Sequence, residues 1–149
     1  SRNEAKITLI GVADSPGVAA RIFGPLANAN VNVDMIVQNV SEDGKTTDLT
    51  FTVTREDLYK AVETLEKDKH GIEYRNLVSA DDVVKVSVIG MGMRSHTGVA
   101  QQMFEALGEK GINIQVISTS EIKVSVLIAE DYTELALRSL HTAYGLDAE

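Results

Sequence analysis

The sequence of 149 residues contains no cysteine, which excludes disulfides and thiolate chemistry and fits a cytoplasmic protein. No apolar run approaches the roughly 20 residues that a helix needs to span a bilayer, and no signal peptide is visible. Basic residues are also scarce, since 14 Lys and Arg stand against 22 Asp and Glu, a net charge of −8. Because nucleic acids and anionic membranes bind clustered Lys and Arg, we expect neither as a partner.

The sequence also lacks a convergent set of catalytic or metal-binding residues. Its histidines fall in unrelated predicted elements, without the H-x-x-x-H or His/carboxylate spacing of a metal site. These histidines are His70, His96 and His141. The acid pairs Glu42-Asp43 and Asp81-Asp82 flank predicted turns and are interpreted as solvated loop charges. No Walker sequence is present, and Gly90-Met91-Gly92-Met93 lacks the third glycine and the basic partner of a nucleotide loop. We therefore predict no catalytic residue, no metal and no cofactor in this chain.

One short stretch, Asp14-Ser15-Pro16-Gly17-Val18-Ala19, links a strand pattern to a helix pattern. The β-branched run at 7–12 predicts a buried strand, and the apolar spacing from Gly17 onward predicts a helix. Ser15 is predicted as the N-cap of that helix, with Pro16 at the first helical position. A turn of this kind directs free backbone N–H groups and the positive end of a helix dipole at one point. It would suit a carboxylate or a phosphate.

The rest of the first half predicts the order β-α-β-β-α-β. Pro25 should end the first helix near Ala29, with Asn28 and Asn30 in the turn that follows. Alternating segments at 31–40 and 47–54 predict a hairpin, with Asn32, Asp34 and Gln38 on one polar face. A second helix begins after Thr54 or Arg55, and a weaker, edge strand is predicted at 72–78.

The same order then repeats, which makes the chain an internal duplication. Lys6-Ile7-Thr8-Leu9-Ile10-Gly11 matches Lys85-Val86-Ser87-Val88-Ile89-Gly90, and Leu49-Thr50-Phe51 matches Val124-Ser125-Val126. After the last predicted helix, at about 132–144, the second copy lacks a counterpart of 72–78. Its sheet must stay one strand short or borrow a strand, and a segment upstream of Ser1 is the expected lender. Since the sequence begins without Met, we expect a fragment or a trimmed chain.

Physical chemistry alone supports a binding site for a small zwitterion. The N–H groups of the turn would hold its α-carboxylate, and the polar strand face would hold its ammonium group. A plainer alternative stays open, in which Ser15 only caps the helix and the polar face only meets solvent.

Several segments resemble the tandem ACT domains of aspartokinase. They are Asp14–Ala19, Val31–Val40, Thr46–Phe51, Met93–Val99 and Asn113–Val126. The resemblance implies an α+β fold of two ferredoxin-like βαββαβ modules, at residues 4–80 and 81–149. Their antiparallel sheets would carry the helices on one face, and the second module would lack its last strand in sequence order.

The resemblance also implies a function. The chain would be the regulatory region, or the small β-type subunit, of a kinase that phosphorylates the side-chain carboxylate of aspartate. ATP and Mg are expected only in the absent kinase domain. Two chains would pair their ACT domains into a homodimer, and lysine, threonine or both would bind between the first module of one chain and the second module of the other.

The site residues implied by the resemblance come from both modules. The matching positions are Asp14, Gly17, Ala19 and Gln38 in the first module and Asn113 and Ile114 in the second, with Ser15, Pro16, Val18, Asp34, Met35 and Ser120 close by. Pro25, Thr97 and Gln115 depart from the family pattern. The alternatives are a stand-alone amino-acid sensor, a structural dimerisation module, and a small enzyme on a ferredoxin-like scaffold, for which the first turn lacks the necessary Arg and Asn.

Overall fold

The computed structural model describes residues 2–67, 71–89 and 96–144, with the side chains of all of them except His96 and Thr97. The chain divides into two compact units. Asn3–Asp81 forms the first, and the residues that follow form the second together with Arg2. None of the helices in the described ranges combines the length and the apolarity needed to cross a membrane.

The first unit follows the predicted order β-α-β-β-α-β. Its elements are β1 (Glu4–Ala13), α1 (Val18–Asn28), β2 (Asp34–Val40), β3 (Thr46–Val53), a 3-10 turn (Arg55–Asp57), α2 (Leu58–Lys67) and the first part of β4 (Asn76–Ile89). The strands are antiparallel in the order β2-β3-β1. The segment that leads into β4 is bonded to β1, since Ala13 N donates to Glu73 O at 3.0 Å and Arg75 N to Ile10 O at 2.8 Å.

Alternating side chains of β1 and β3, on the face that the helices cover, form the core of the first unit. Ile7 lies opposite Phe51 and Leu9 opposite Leu49, and all four side chains are buried against the helices. The helices contribute Ile22, Leu26, Ala61 and Leu65. Between those pairs, Thr8 and Thr50 lie on the other face and share a hydrogen bond of 3.0 Å between their hydroxyls. The helices therefore cover one face of this sheet, as predicted.

The second unit repeats this arrangement. After the last part of β4 it contains α3 (His96–Glu109), β5 (Val116–Thr119), β6 (Lys123–Ala129), a 3-10 turn (Glu130–Tyr132) and α4 (Thr133–Ala143). The strand order is β4-β6-β5, again antiparallel. Its own core joins strand residues such as Val86 and Val126 to Leu107 and Leu140 of the helices. No strand follows α4 within the described residues, and Arg2 lines a cavity of about 140 Å³ beside Val84 of β4.

The two copies end their first helices in the same way. α1 runs through Pro25 and ends at Asn28, as predicted, and Asn30 follows with a φ of 61°. Val31 N then donates back to Leu26 O at 2.9 Å. After α3, Gly111 has a φ of 72° and Ile112 N donates to Leu107 O at 3.0 Å. Both ends are Schellman motifs, in which a left-handed residue lets the chain reverse.

Three predictions about local structure were wrong. Ser15 is not the N-cap of α1, because the chain turns once more and Gly17 takes that position with a φ of 86° and without a side-chain cap. β2 begins at Asp34 rather than 31, and a bulge between Asp34 and Val37 ends the alternation. The predicted edge strand at 72–78 does not stop there. Its residues 72–75 are not in a strand, and β4 begins at Asn76 and continues to Ile89, so that Asp81 and Asp82 are exposed strand residues and do not flank a turn.

Candidate functional site

The Asp14–Ala19 turn presents backbone donors to solvent. Asp14 N is used inside the unit, since it donates to Lys45 O at 3.0 Å, and Val18 N donates to Ser15 O at 3.1 Å. In the described part of the chain, the N–H groups of Gly17, Ala19 and Ala20 have no acceptor, and all three residues are exposed. The predicted set of free donors at the start of a helix is therefore present.

Arg21, which was not among the predicted site residues, adds a positive charge to this turn. Its Nη2 donates to Ser15 Oγ at 2.9 Å, and its Nη1 lies 3.4 Å from the position that a Cβ on Gly17 would take. Side chains of a helix point back toward its N-terminus, so a basic residue four positions after Gly17 was a usable signal. Guanidinium and N–H groups together form a surface suited to a carboxylate.

The β2–β3 hairpin supports the turn. Lys45, whose carbonyl accepts from Asp14 N, also donates its own N–H to Asp43 Oδ1 at 2.9 Å. The Lys45 N–H, together with the Ser41 hydroxyl at 2.7 Å, holds the pKa of the Asp43 carboxyl below its ordinary value.

Close by, Gly11 N donates to Asp48 Oδ1 at 2.9 Å, and the φ of 70° at Gly11 belongs to an irregularity in β1.

The predicted residues of β2 lie at different distances from the turn. Ala13, just before the turn, pairs with Thr46. Gln38 lies opposite Leu49, three residues along β3 from Thr46, or about 10 Å. Asp34 lies opposite Thr52, six residues along, or about 20 Å. The first unit therefore places Gln38 near the turn and Asp34 near the other end of the sheet.

Asp34 and Met35 have local contacts at that other end. Met35 N donates to Asp34 Oδ1 at 2.8 Å, and Thr52 Oγ1 donates to Asp34 O at 3.0 Å. Met35 is buried and has a φ of 48°, a value that residues with a Cβ seldom adopt. These contacts stabilise the bulge in β2.

In the second unit the predicted residues flank β5. Asn113 is exposed and Ile114 half-buried, and both precede the strand. Ser120 follows it in a tight turn, in which Ser120 N donates to Lys123 O at 2.8 Å. Of the Met93–Val99 segment that resembles the ACT domains, residues 93–95 lie outside the described residues, as do His70 and the Gly90–Met93 segment.

The described residues contain no group of three or more His, Cys, Asp or Glu side chains that could hold a metal ion. What the geometry offers instead is a donor surface at the turn after β1, with Gln38 on the edge strand β2, which β3 separates from β1. Donors of this kind suit a small anionic group.

Comparison with known proteins gives consistent results. Models of the ACT domain match residues 6–70 and 86–144. An aspartokinase of Pseudomonas aeruginosa is 58% identical over 148 residues, which cover 99% of this chain and 36% of that protein. The chain thus spans little more than a third of that relative's length.

Two solved structures match over nearly their whole chains. A crystal structure of aspartokinase alpha and beta subunits shares 52% identity and a TM-score of 0.90, covering 97% of this chain and 95% of that one. The ligand-free regulatory subunit of aspartate kinase from Thermus thermophilus is 38% identical and matches with a TM-score of 0.89. The match covers 97% of this chain and 94% of that one.

Proposed function

Because this chain belongs to the family of tandem ACT-domain regulatory regions of aspartokinases, we propose that it is the amino-acid-binding part of an aspartate kinase. It binds lysine, threonine or both and conveys feedback inhibition to the kinase. The catalytic domain or subunit, with ATP and Mg, is a partner in the cytoplasm and lies outside this chain.

The Asp14–Ala19 turn is the observation that carries this proposal. Every amino acid has an α-carboxylate, and the turn together with Ala20 offers three N–H groups without an acceptor among the described residues, beside the guanidinium of Arg21. Hydrogen bonds to a charged group contribute about 1.5–3 kcal/mol each, and the helix dipole adds to them. The carboxylate of Asp14 and the amide of Gln38 provide acceptors for the ligand's ammonium group.

The edge of the first unit's sheet supports pairing with a second copy. β2 is the last strand of that sheet, and its side chains Ile36 and Val40 are 54% and 52% exposed. An exposed apolar edge strand is a template for strand addition by another chain. In the proposed homodimer, Asn113 and Ile114 complete the effector site from the partner, with Ser120 close by.

The proposed mechanism is a population shift. An effector that binds one arrangement of the paired ACT domains more tightly than the other favours the arrangement with the less active kinase. A coupling of about 1–3 kcal/mol, typical of allostery, would change activity roughly 5–150-fold.

The test is calorimetric titration of the chain with lysine and with threonine. We expect binding of at least one, and an affinity about tenfold lower or worse in Asp14→Ala, because the ammonium group loses a charged acceptor. Asp81→Ala, at an exposed position in β4, serves as the control and should bind like the wild type. An unchanged affinity in Asp14→Ala would contradict this site.

A thermal-shift screen with the twenty amino acids addresses the alternative of a purely structural dimerisation module. The proposal requires stabilisation by an effector at concentrations above its dissociation constant. Absence of any stabilisation at about 10 mM ligand would favour the structural role.

A further inference from the structure

Helices α3 and α4 of the second unit enclose a groove of about 420 Å³ that the proposed effector site does not use. The half-buried side chains of Ala106 and Leu135 give it an apolar part, and three charged side chains line it as well. They are Glu109, Lys110 and Arg138. The volume lies within the range of about 300–1,000 Å³ that is usual for small-molecule sites.

The three charged side chains of this α3–α4 groove have no partner among the described residues. Among the residues that the structure describes, the side chains of Glu109, Lys110 and Arg138 form no ion pair and no hydrogen bond. The groove therefore combines two cations and one anion with an apolar wall.

The corresponding helix of the first unit is different. Ser139 Oγ donates to Leu135 O at 2.7 Å, and Thr64 Oγ1 donates to Lys60 O at the same distance, so these two hydroxyls mark equivalent positions in α4 and α2. By that correspondence Arg138 takes the position of Glu63. Glu63, however, is paired with Lys67 at 3.0 Å one turn later. In the first copy this position is paired within its helix, whereas in the second copy Arg138 lines a groove.

We propose that the α3–α4 groove binds a small acid with two carboxylates and one ammonium group, of which an acidic amino acid is the simplest example. Lys110 and Arg138 contact the two carboxylates, and Glu109 contacts the ammonium group. A dicarboxylate without an ammonium group binds less well, because Glu109 then repels it. This site lies within the second unit and does not depend on the proposed effector site.

The test is titration of the 149-residue chain with L-aspartate and with succinate, followed by calorimetry and by the amide shifts of ¹⁵N-labelled protein. We expect aspartate to bind, with shifts in α3 and α4, and succinate to bind about tenfold more weakly. Arg138→Gln and Lys110→Gln should each lower the affinity for aspartate about tenfold, because each removes one charged contact.

Two further variants sharpen this test. Glu63→Gln, at the equivalent position of the first unit, should leave the affinity for aspartate unchanged. Arg138→Glu, which places the first unit's residue in the groove, should abolish binding. The proposal is overturned if aspartate gives no heat and no shifts up to about 10 mM, if Arg138→Gln binds as tightly as the wild type, or if the shifts fall only in the Asp14–Ala19 turn. That last result would leave the proposed effector site intact.

Discussion

Leu26 of the first module and Leu107 of the second occupy equivalent places, and each is fully buried in its own core. Each accepts a backbone hydrogen bond that closes its helix, with Asn30 left-handed in one module and Gly111 in the other. The two copies therefore share the buried leucine and the path of the backbone at this helix end, although the left-handed residue differs.

Their surfaces have diverged. The first module has a long β2–β3 turn that supports the Asp14–Ala19 turn, whereas the second joins β5 to β6 within a few residues. The helix α2 pairs Glu63 with Lys67, whereas α4 places Arg138 at a groove. Because loops and exposed faces carry function on a rigid scaffold, the differences between the copies are the places to look for ligands.

The largest expected effect comes from the matched pair Leu26→Ala and Leu107→Ala. Each substitution should lower the free energy of unfolding by about 2–5 kcal/mol, since it opens a cavity in a close-packed core. Denaturant unfolding measures the total cost, and amide exchange in α1 and α3 assigns it to a module. Leu137→Ala, at an exposed leucine of α4, should cost far less. A loss below about 1 kcal/mol in either core variant would show that the two cores are not equivalent.

The next effect concerns the left-handed residues that end α1 and α3. Gly111→Ala should lower the free energy of unfolding by about 1–2 kcal/mol. Because no atom lies within 4 Å of the added Cβ, the cost arises from the φ of 72° alone. Gly108→Ala is the matched control, since Gly108 has equal space inside α3 and no positive φ, and it should stabilise by about 0.5–1 kcal/mol. Equal changes in both variants, measured by urea unfolding, would refute this explanation.

Asn30→Gly extends the comparison to the first module. Glycine adopts the left-handed region more readily than asparagine, so this variant should be neutral or slightly stabilising. A substantial loss of stability would mean that the asparagine side chain contributes more than its backbone conformation.

The periodic elements were predictable from the sequence, whereas the local backbone detail was not. The alternation of apolar and polar residues predicted β1 and β3, because their inward residues, such as Ile7 and Phe51, are apolar and β-branched or aromatic. The bulge at Met35 left no signal, since no glycine marks it. Asp81 and Asp82 suggested a turn, yet an exposed strand tolerates acids, and neither glycine nor proline interrupts β4.

The candidate site was predictable only in part. The donors of the Asp14–Ala19 turn followed from its position between a strand and a helix. Ser15 failed as the N-cap because Gly17 can adopt a φ of 86° and Asp14 is bonded to Lys45, which together move the helix start to Val18. The even spacing of Asp34 and Gln38 suggested one common surface, but their register on β3 places them at different distances from the turn.

The smallest effect tests the β2–β3 hairpin turn of the first module, at 41–45, which is longer than the β5–β6 turn of the second. In the folded chain, the N–H of Lys45 and then the hydroxyl of Ser41 lower the pKa of Asp43 from its ordinary value of 3.8. A lowered pKa contributes stability above the unfolded value, and this contribution is lost as the pH falls through the folded pKa. In Asp43→Asn the corresponding loss on acidification should be absent, because the amide does not titrate in this range.

The measurement is a carbon-detected NMR titration of the Asp43 carboxyl together with unfolding curves of both proteins from neutral pH to below 3.8. The wild type and the variant should converge in stability at the acid end, where Asp43 is protonated in both the folded and the unfolded chain. Because Asp43 is fully exposed, solvent screening keeps the difference small even at neutral pH. A titration midpoint at or above 3.8 would mean that the β2–β3 turn does not hold the Asp43 carboxylate. The β2–β3 turn would then support the Asp14–Ala19 turn only through the backbone hydrogen bond from Asp14 N to Lys45 O.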